Sequence, residues 1–147
     1  MLELSEALKA TVEQAVTGLR QVSESQSAAP VLRGGWSRKQ VIGHLIDSAS
    51  NSHQRFVRAA LAGELVFPGY DQDGNVRVVA VQEMKWELLV DLWVSYNLYL
   101  AHVIAHLPAD KLQAHCQVGD EDRGTLEFLA NEYLGHMKHH LEQIGCC

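Results

Sequence analysis

Gly35-Trp36-Ser37-Arg38-Lys39-Gln40-Val41-Ile42-Gly43-His44-Leu45-Ile46-Asp47-Ser48 announces a helix start more clearly than any other stretch of the chain. Ser37 and Gln40 have capping-box spacing, each side chain placed to satisfy a backbone N–H near the other, while Trp36 and Val41 occupy the N′ and N4 positions of a hydrophobic staple. The spacing predicts a helix from Ser37 to about Ala62, with Gly63 suited to a left-handed C-terminal cap. Two stripes run along it. Leu45, Ile46, Ala49, Phe56 and Ala60 form an apolar face, and His44, Asp47, Ser48, Asn51 and Arg55 form a polar stripe offset from it. Such a stripe either faces solvent or lines a cavity at one end of a bundle, and periodicity does not separate the two.

Upstream, Leu4, Leu8, Val12, Ala15, Val16, Leu19 and Val22 recur at spacings of three and four, the mark of an amphipathic helix. Ser23 to Gly35 lacks periodicity and reads as a loop. Downstream, Phe67 to Asn75 is dense in turn formers and should cross between helices, and Val76 to Val81 has the composition of a short extended run. A third long helix is expected over Gln82 to Leu107, with Leu88, Leu89, Leu92, Trp93, Tyr96, Leu100, Val103, Ile104 and Leu107 in its stripe and Pro108 ending it. After a polar segment through Gly119 and Gly124, Thr125 can cap a last helix carrying Leu126, Leu129, Ala130, Tyr133, Leu134, Met137, Leu141 and Ile144 on one side. Four long helices and no convincing strand series make the fold class all-α, a four-helix bundle. At 147 residues, a single domain spanning 1–147 is the expectation.

Eighteen acidic against twelve basic residues give a formal charge of −6 without a basic run, which disfavours nucleic acid and anionic membrane as partners. The start, Met1-Leu2-Glu3, has no basic region of a signal peptide, and no stretch reads as a membrane span, so a soluble, cytoplasmic protein is expected. Cys116, Cys146 and Cys147 are odd in number, and the adjacent pair would close only a strained bridge. Free thiols are the expectation.

Eight histidines are the compositional oddity. Gly135-His136-Met137-Lys138-His139-His140 carries an H-x3-H pair within the apolar stripe of the last helix, and helical phase selects His136 and His140 while pointing His139 away. Two imidazoles one turn apart can reach one divalent ion. Alone, the pair is more often the mark of half-buried histidines bonded to neighbours. His102 and His106 have the same spacing near the end of the third helix, where a protonated histidine also favours the helix dipole. His53 and His115 lack a partner at ligand spacing. Cys146 and Cys147 are soft alternative ligands, on residues that usually fray.

Trp36-Ser37, Gly43-His44, Asp47-Ser48, Asn51 and Arg55, the run Pro68-Gly69-Tyr70-Asp71-Gln72-Asp73, and Gly135 to Ile144 together resemble the DinB-like superfamily of metal-binding four-helix proteins. The resemblance covers nearly the whole chain. It implies a three-imidazole site, His44 with His136 and His140, for a divalent metal, zinc or nickel, and it places the polar stripe of the second helix on a cavity. The family includes thiol S-transferases and isomerases that use low-molecular-weight thiols such as bacillithiol or mycothiol, besides members of unassigned activity regarded as hydrolases. Homodimers occur in it. In this chain Gly74-Asn75 follows the Asp71-Gln72-Asp73 run where an aromatic-containing helical start is the subgroup's pattern.

A three-histidine site with an open position suits a metal-dependent enzyme, an S-transferase or hydrolase acting on a small molecule. Asp47, one turn from His44, is the candidate catalytic carboxylate, and Asn51 and Arg55 are candidates for binding an anionic part of the substrate. The alternative is a non-catalytic stress protein that binds metal or thiol.

Overall fold

The computed structural model describes residues 1–31 and 35–146. Helix α1 (Leu2–Gln21) buries Leu8, Val12, Ala15 and Leu19 along one stripe, as their spacing requires. The expected loop after it contains a short helix, α2 (Glu24–Ala28), closed by its own capping box between Ser23 and Gln26. Helix α3 (Arg38–Ala62) starts at the Ser37–Gln40 capping box and stops at Gly63, whose φ of 83° is the left-handed cap that glycine adopts without strain.

Two further elements fill the crossing segment. Strand β1 (Glu64–Phe67) follows α3 directly, and helix α4 (Gln72–Val79) is capped by Asp71 Oδ1, which accepts from Gly74 N at 2.9 Å. The run from Val76, expected to be extended from its valines, is therefore largely helical. A side-chain cap and the burial of Val76 outweigh a weak β preference. The 3-10 turn Val81–Glu83 then presses onto α3 at Gly43, where an added Cβ would lie 2.6 Å from Val81 Cγ1. Only glycine permits that approach.

Helix α5 (Trp86–Ala105) is long and apolar enough to cross a membrane by length and composition, with a mean hydropathy of 1.4, which the sequence reading did not anticipate. It packs here against α1 and α3. Leu89, Val90, Trp93, Leu100, Ala101 and Ile104 are buried, while Leu88 and Leu92, expected in the stripe, are 56 % and 43 % exposed. A helix apolar on most sides has an ambiguous phase, and a polar pair decides it: Tyr133 Oη donates to Asn97 Oδ1 in the core.

The polar segment after α5 forms strands β2 (His115–Val118) and β3 (Glu121–Thr125), which with β1 make a three-stranded sheet in the order β1-β2-β3. β1 pairs with β2 in parallel, Glu64 opposite His115, and β2 pairs with β3 antiparallel. Helix α6 (Leu126–Gln143) starts at the end of β3, with Thr125 Oγ1 accepting from Phe128 N, and buries the seven apolar positions expected of it from Leu126 to Leu141; the eighth, Ile144, is buried at its C-cap. The four long helices α1, α3, α5 and α6 form the four-helix bundle, and the sheet sits against the ends of α3 and α6. Phe56 and Trp93 at its centre are fully buried, each contributing about 1.5–3 kcal/mol by the usual burial scale.

Candidate metal centre

The caps that fix α3 and α6 also fix which of their side chains meet. His44 Nε2 lies 3.1 Å from His136 Nε2, and the three rings of His44, His136 and His140 are 4.6–5.0 Å apart between centroids. One nitrogen from each lies within 4.8 Å of the others. Two imidazoles on a tetrahedral zinc at about 2.0–2.1 Å would hold their nitrogens about 3.3 Å apart, close to the separation found here. Among the described residues, no other three His, Cys, Asp or Glu side chains converge in this way.

The outer nitrogens orient the rings. His140 Nδ1 meets Gln143 Oε1 at 2.9 Å and His136 Nδ1 faces Ser48 Oγ at 3.4 Å, which leaves each Nε2 uncommitted by these bonds. His44 Nδ1 is buried with no hydrogen-bond partner. Trp36 packs on the group, tilted over His44 at 5.2 Å and stacked on His140 at 6.5 Å.

Burial pushes the His44 pKa down to about 3, with the neighbouring His136 and His140 adding to the shift. His136 falls to about 4, from burial first and then from His140 and His139. His140 is also lowered, chiefly by burial, although Gln143 pulls it the other way. At neutral pH all three are therefore neutral, each with one N–H and one nitrogen lone pair, the state in which imidazole binds a metal.

A polar cavity of about 130 Å³ opens beside His136 and runs between α3 and α6 past Ser48, Ser52 and Tyr133 to Arg55, Tyr70 and Arg123. The sequence model of the DinB superfamily matches residues 6–144. The chain belongs to the DinB superfamily. Its fold matches a solved structure described as YfiT from Bacillus subtilis, a probable metal-dependent hydrolase with an unusual four-helix bundle topology. The TM-score is 0.75 at 24% identity, over 98% of this chain and 81% of that one, so the likeness is one of fold. Among curated proteins, none matches this chain.

In this DinB-superfamily chain the other expected site residues lie as follows. Asp47 is half-buried on α3, its carboxyl pKa raised by burial. Asn51 Nδ2 donates to the Asp47 carbonyl at 2.9 Å, and Asn51 does not line the cavity. Arg55 lines it, with its guanidinium 5.3 Å from the Phe67 ring centroid. Gly74-Asn75, where the sequence departs from the subgroup's pattern, lies inside α4.

His102, exposed on α5, and His106 at the C-cap of that helix have tilted rings 4.1 Å apart, and His106 Nδ1 donates to the His102 carbonyl. His53 contacts Tyr96 Oη at 3.3 Å and His115 pairs with Asp122 at 3.1 Å. Cys116 is fully buried in β2, and burial raises its thiol pKa. Cys146, expected at a frayed end, is buried too, its N–H bonded to the Leu141 carbonyl at 3.0 Å; Cys147 lies outside the described residues.

Arg123, Glu132 and Tyr133 complete the cavity wall without having been candidates in the sequence. Tyr133 and Glu132 sit on the same helix face as His136, a signal helical phase did contain. Arg123 had none, because a short charged hairpin brings it there.

Proposed function

We propose that this protein is a divalent-metal-dependent enzyme of the hydrolase or thiol S-transferase type, with His44, His136 and His140 as the ligands of a zinc or nickel ion. The observation that carries the reading is the convergence of three neutral imidazoles beside an open polar cavity. The solved YfiT structure, described as a probable metal-dependent hydrolase, supports the hydrolase branch. The chemistry such an ion supplies is Lewis acidity, under which a coordinated water or thiol loses its proton near neutral pH.

The chain's own residues supply the rest. Trp36 excludes water from one side of the imidazoles. Asp47, three residues from His44 on α3 but outside the cavity lining, is the candidate proton acceptor, with a carboxyl made more basic by burial. Asn51, bonded to the Asp47 carbonyl, steadies that turn, and Arg55 binds an anionic part of a small-molecule substrate, a low-molecular-weight thiol being one such compound. A cytoplasmic location and action without nucleic acid or membrane belong to the same proposal. So does a homodimer, for which Leu88, Leu92 and Tyr99 supply an exposed stripe at helical spacing on α5.

Metal analysis tests the reading directly. About one divalent ion per chain is expected in the wild type, with loss in His44→Ala, His136→Ala and His140→Ala; no metal in the wild type, or undiminished metal in the three variants, overturns it. A second reading, non-catalytic metal or thiol binding in a stress response, is favoured by the way the three histidines tie α3 to α6. Thermal-shift screening of thiols and small acids separates the two, since metal-dependent stabilisation by a compound that is then converted supports the enzyme.

A further inference from the structure

We propose that the end of the cavity remote from the histidines is a carboxylate subsite, built from Arg55 on α3, Tyr70 in the crossing segment and Arg123 on β3. The proposal rests on the enzyme reading for its biological meaning, since it assigns the metal centre a substrate class: an elongated compound carrying one carboxylate.

Charge pairing is the first argument. Arg55 is half-buried, and among the described residues it makes no ion pair or hydrogen bond; its Nε is out of water without an acceptor. It lies over the face of Phe67, which it shares with Arg58. Removing a guanidinium from water without an anion is unfavourable, and a bound oxyanion reverses that. Burial lowers the Arg55 pKa, with Arg123 adding to the shift while Tyr70 and Glu132 oppose it. Asp47 acts on Tyr70 instead.

The size of the missing charge follows from the wall. Arg55, Arg123 and Glu132 line the cavity, two cations and one anion, and the half-buried Asp47 carboxylate acts on Tyr70. Arg123 is already paired with Glu132 at 2.7 Å and, on the outside, with Glu121 at 2.5 Å, which is 67% exposed. A monoanionic carboxylate pairs with Arg55 while adding the least negative charge, whereas a dianionic phosphate would add a second charge beside Glu132 and Asp47. Tyr70, held protonated by burial and by Asp47, offers an O–H donor and no competing charge.

Distance gives the shape. Arg55 lies eleven residues beyond His44, about 16 Å along the α3 axis; both side chains lean towards the helix N-terminus, and only the greater length of the arginine shortens the span. Ser48 and Ser52 line the interval between them, and a volume of about 130 Å³ admits a slender chain. The reacting group therefore sits several bonds from the carboxylate.

The test is titration of the full-length ¹⁵N-labelled protein, as purified and after chelation, following the Arg55 Nε–H resonance, which is assigned by its absence from Arg55→Lys. Sodium butyrate, its neutral isostere butyramide and inorganic phosphate are the probes at constant ionic strength. Butyrate is expected to move the resonance saturably with and without metal, butyramide to leave it in place, and phosphate to bind more weakly. By heat of binding, butyrate affinity should fall about tenfold in Arg55→Lys and vanish in Arg55→Met.

No saturable response to butyrate, an equal response to butyramide, or tighter binding of phosphate overturns the subsite. If Arg55→Met does not fold, the wild-type titration and Arg55→Lys decide. Butyrate binding in a protein that holds no metal keeps the subsite and removes the metal-enzyme reading; metal without butyrate binding does the reverse.

Discussion

Lys39 and His44 lie five residues apart on α3, 3% and 1% exposed, and the chain treats them in opposite ways. The Lys39 ammonium gives all three of its donors to the protein: Glu24 Oε1 at 2.5 Å, the Met84 carbonyl at 2.6 Å and the Gln82 carbonyl at 3.2 Å. Glu24 in turn accepts from Trp86 N, and Trp86 Nε1 donates to the Leu19 carbonyl, so one knot joins the ends of α1, α2, α3 and α5. These contacts hold the Glu24 pKa below the usual carboxylate range, Lys39 first. His44 has one nitrogen without a partner and the other against a second imidazole. Lys39 is completed by its own chain and serves the architecture; His44, with its Nε2 against a second imidazole and a third close by, is left for a ligand from outside.

The sharpest way to break this contrast is Lys39→Met, which strips a donor from two carbonyls and a carboxylate. A loss of about 2–4 kcal/mol is expected in urea unfolding, with metal content unchanged. A loss under about 0.5 kcal/mol would show that the knot is ornamental.

Metal comes next. At a free concentration one hundred times its Kd, zinc or nickel should stabilise the wild type by about 2.7 kcal/mol, and His136→Ala or His140→Ala should remove that gain while Lys39→Met keeps it. Calorimetric melting with and without chelator measures the difference.

The pH response is smaller. Unfolded histidine takes up a proton below about 6.5, but His44 and His136 resist until about 3 and about 4. The unfolded state therefore binds more protons across that interval, so the metal-free protein is at full strength above pH 6.5 and weakens as pH falls towards 4. The slope is at most about 1.4 kcal/mol per pH unit for the buried His44, less for its more exposed partners, and Asp47, with its raised pKa, works against it. Urea midpoints at pH 7 and pH 5 should show the loss, flattened in His44→Phe.

The smallest effect is His44→Phe itself in the metal-free protein at pH 7. Replacing an orphaned imidazole by an apolar ring should change stability by less than about 1 kcal/mol. A loss above about 2 kcal/mol would mean that His44 is held by its own chain, as Lys39 is.

Much of this was legible beforehand because it is local. The Ser37–Gln40 box, the Gly63 cap and the apolar stripe of α6 are set by neighbours within a few residues. Phase likewise pointed to His136 and His140 over His139, and the structure places the first two beside His44 with His139 exposed. The strands were hidden because β1, β2 and β3 are four or five residues long, and β3 opens with Glu121-Asp122-Arg123, poor strand formers held by pairing with distant segments. The phase of α5 depended on Asn97 meeting Tyr133, a contact across helices that no period contains. Arg123 escaped for the same reason as its strand.

The small sheet also governs where the chain can change length. β1 follows α3 after Gly63 alone, β3 runs into α6 at Thr125, and the first N–H groups of α6 are bonded to the Ala114 and Leu112 carbonyls. One residue inserted after Thr125 would turn α6 by 100° and bring Gly135 and His139 to the places of His136 and His140. The same residue added at the β2–β3 tip, by Gly119 and Asp120, leaves that phase untouched. Variation in length is expected at the hairpin tip and purged at the junction, a few residues away.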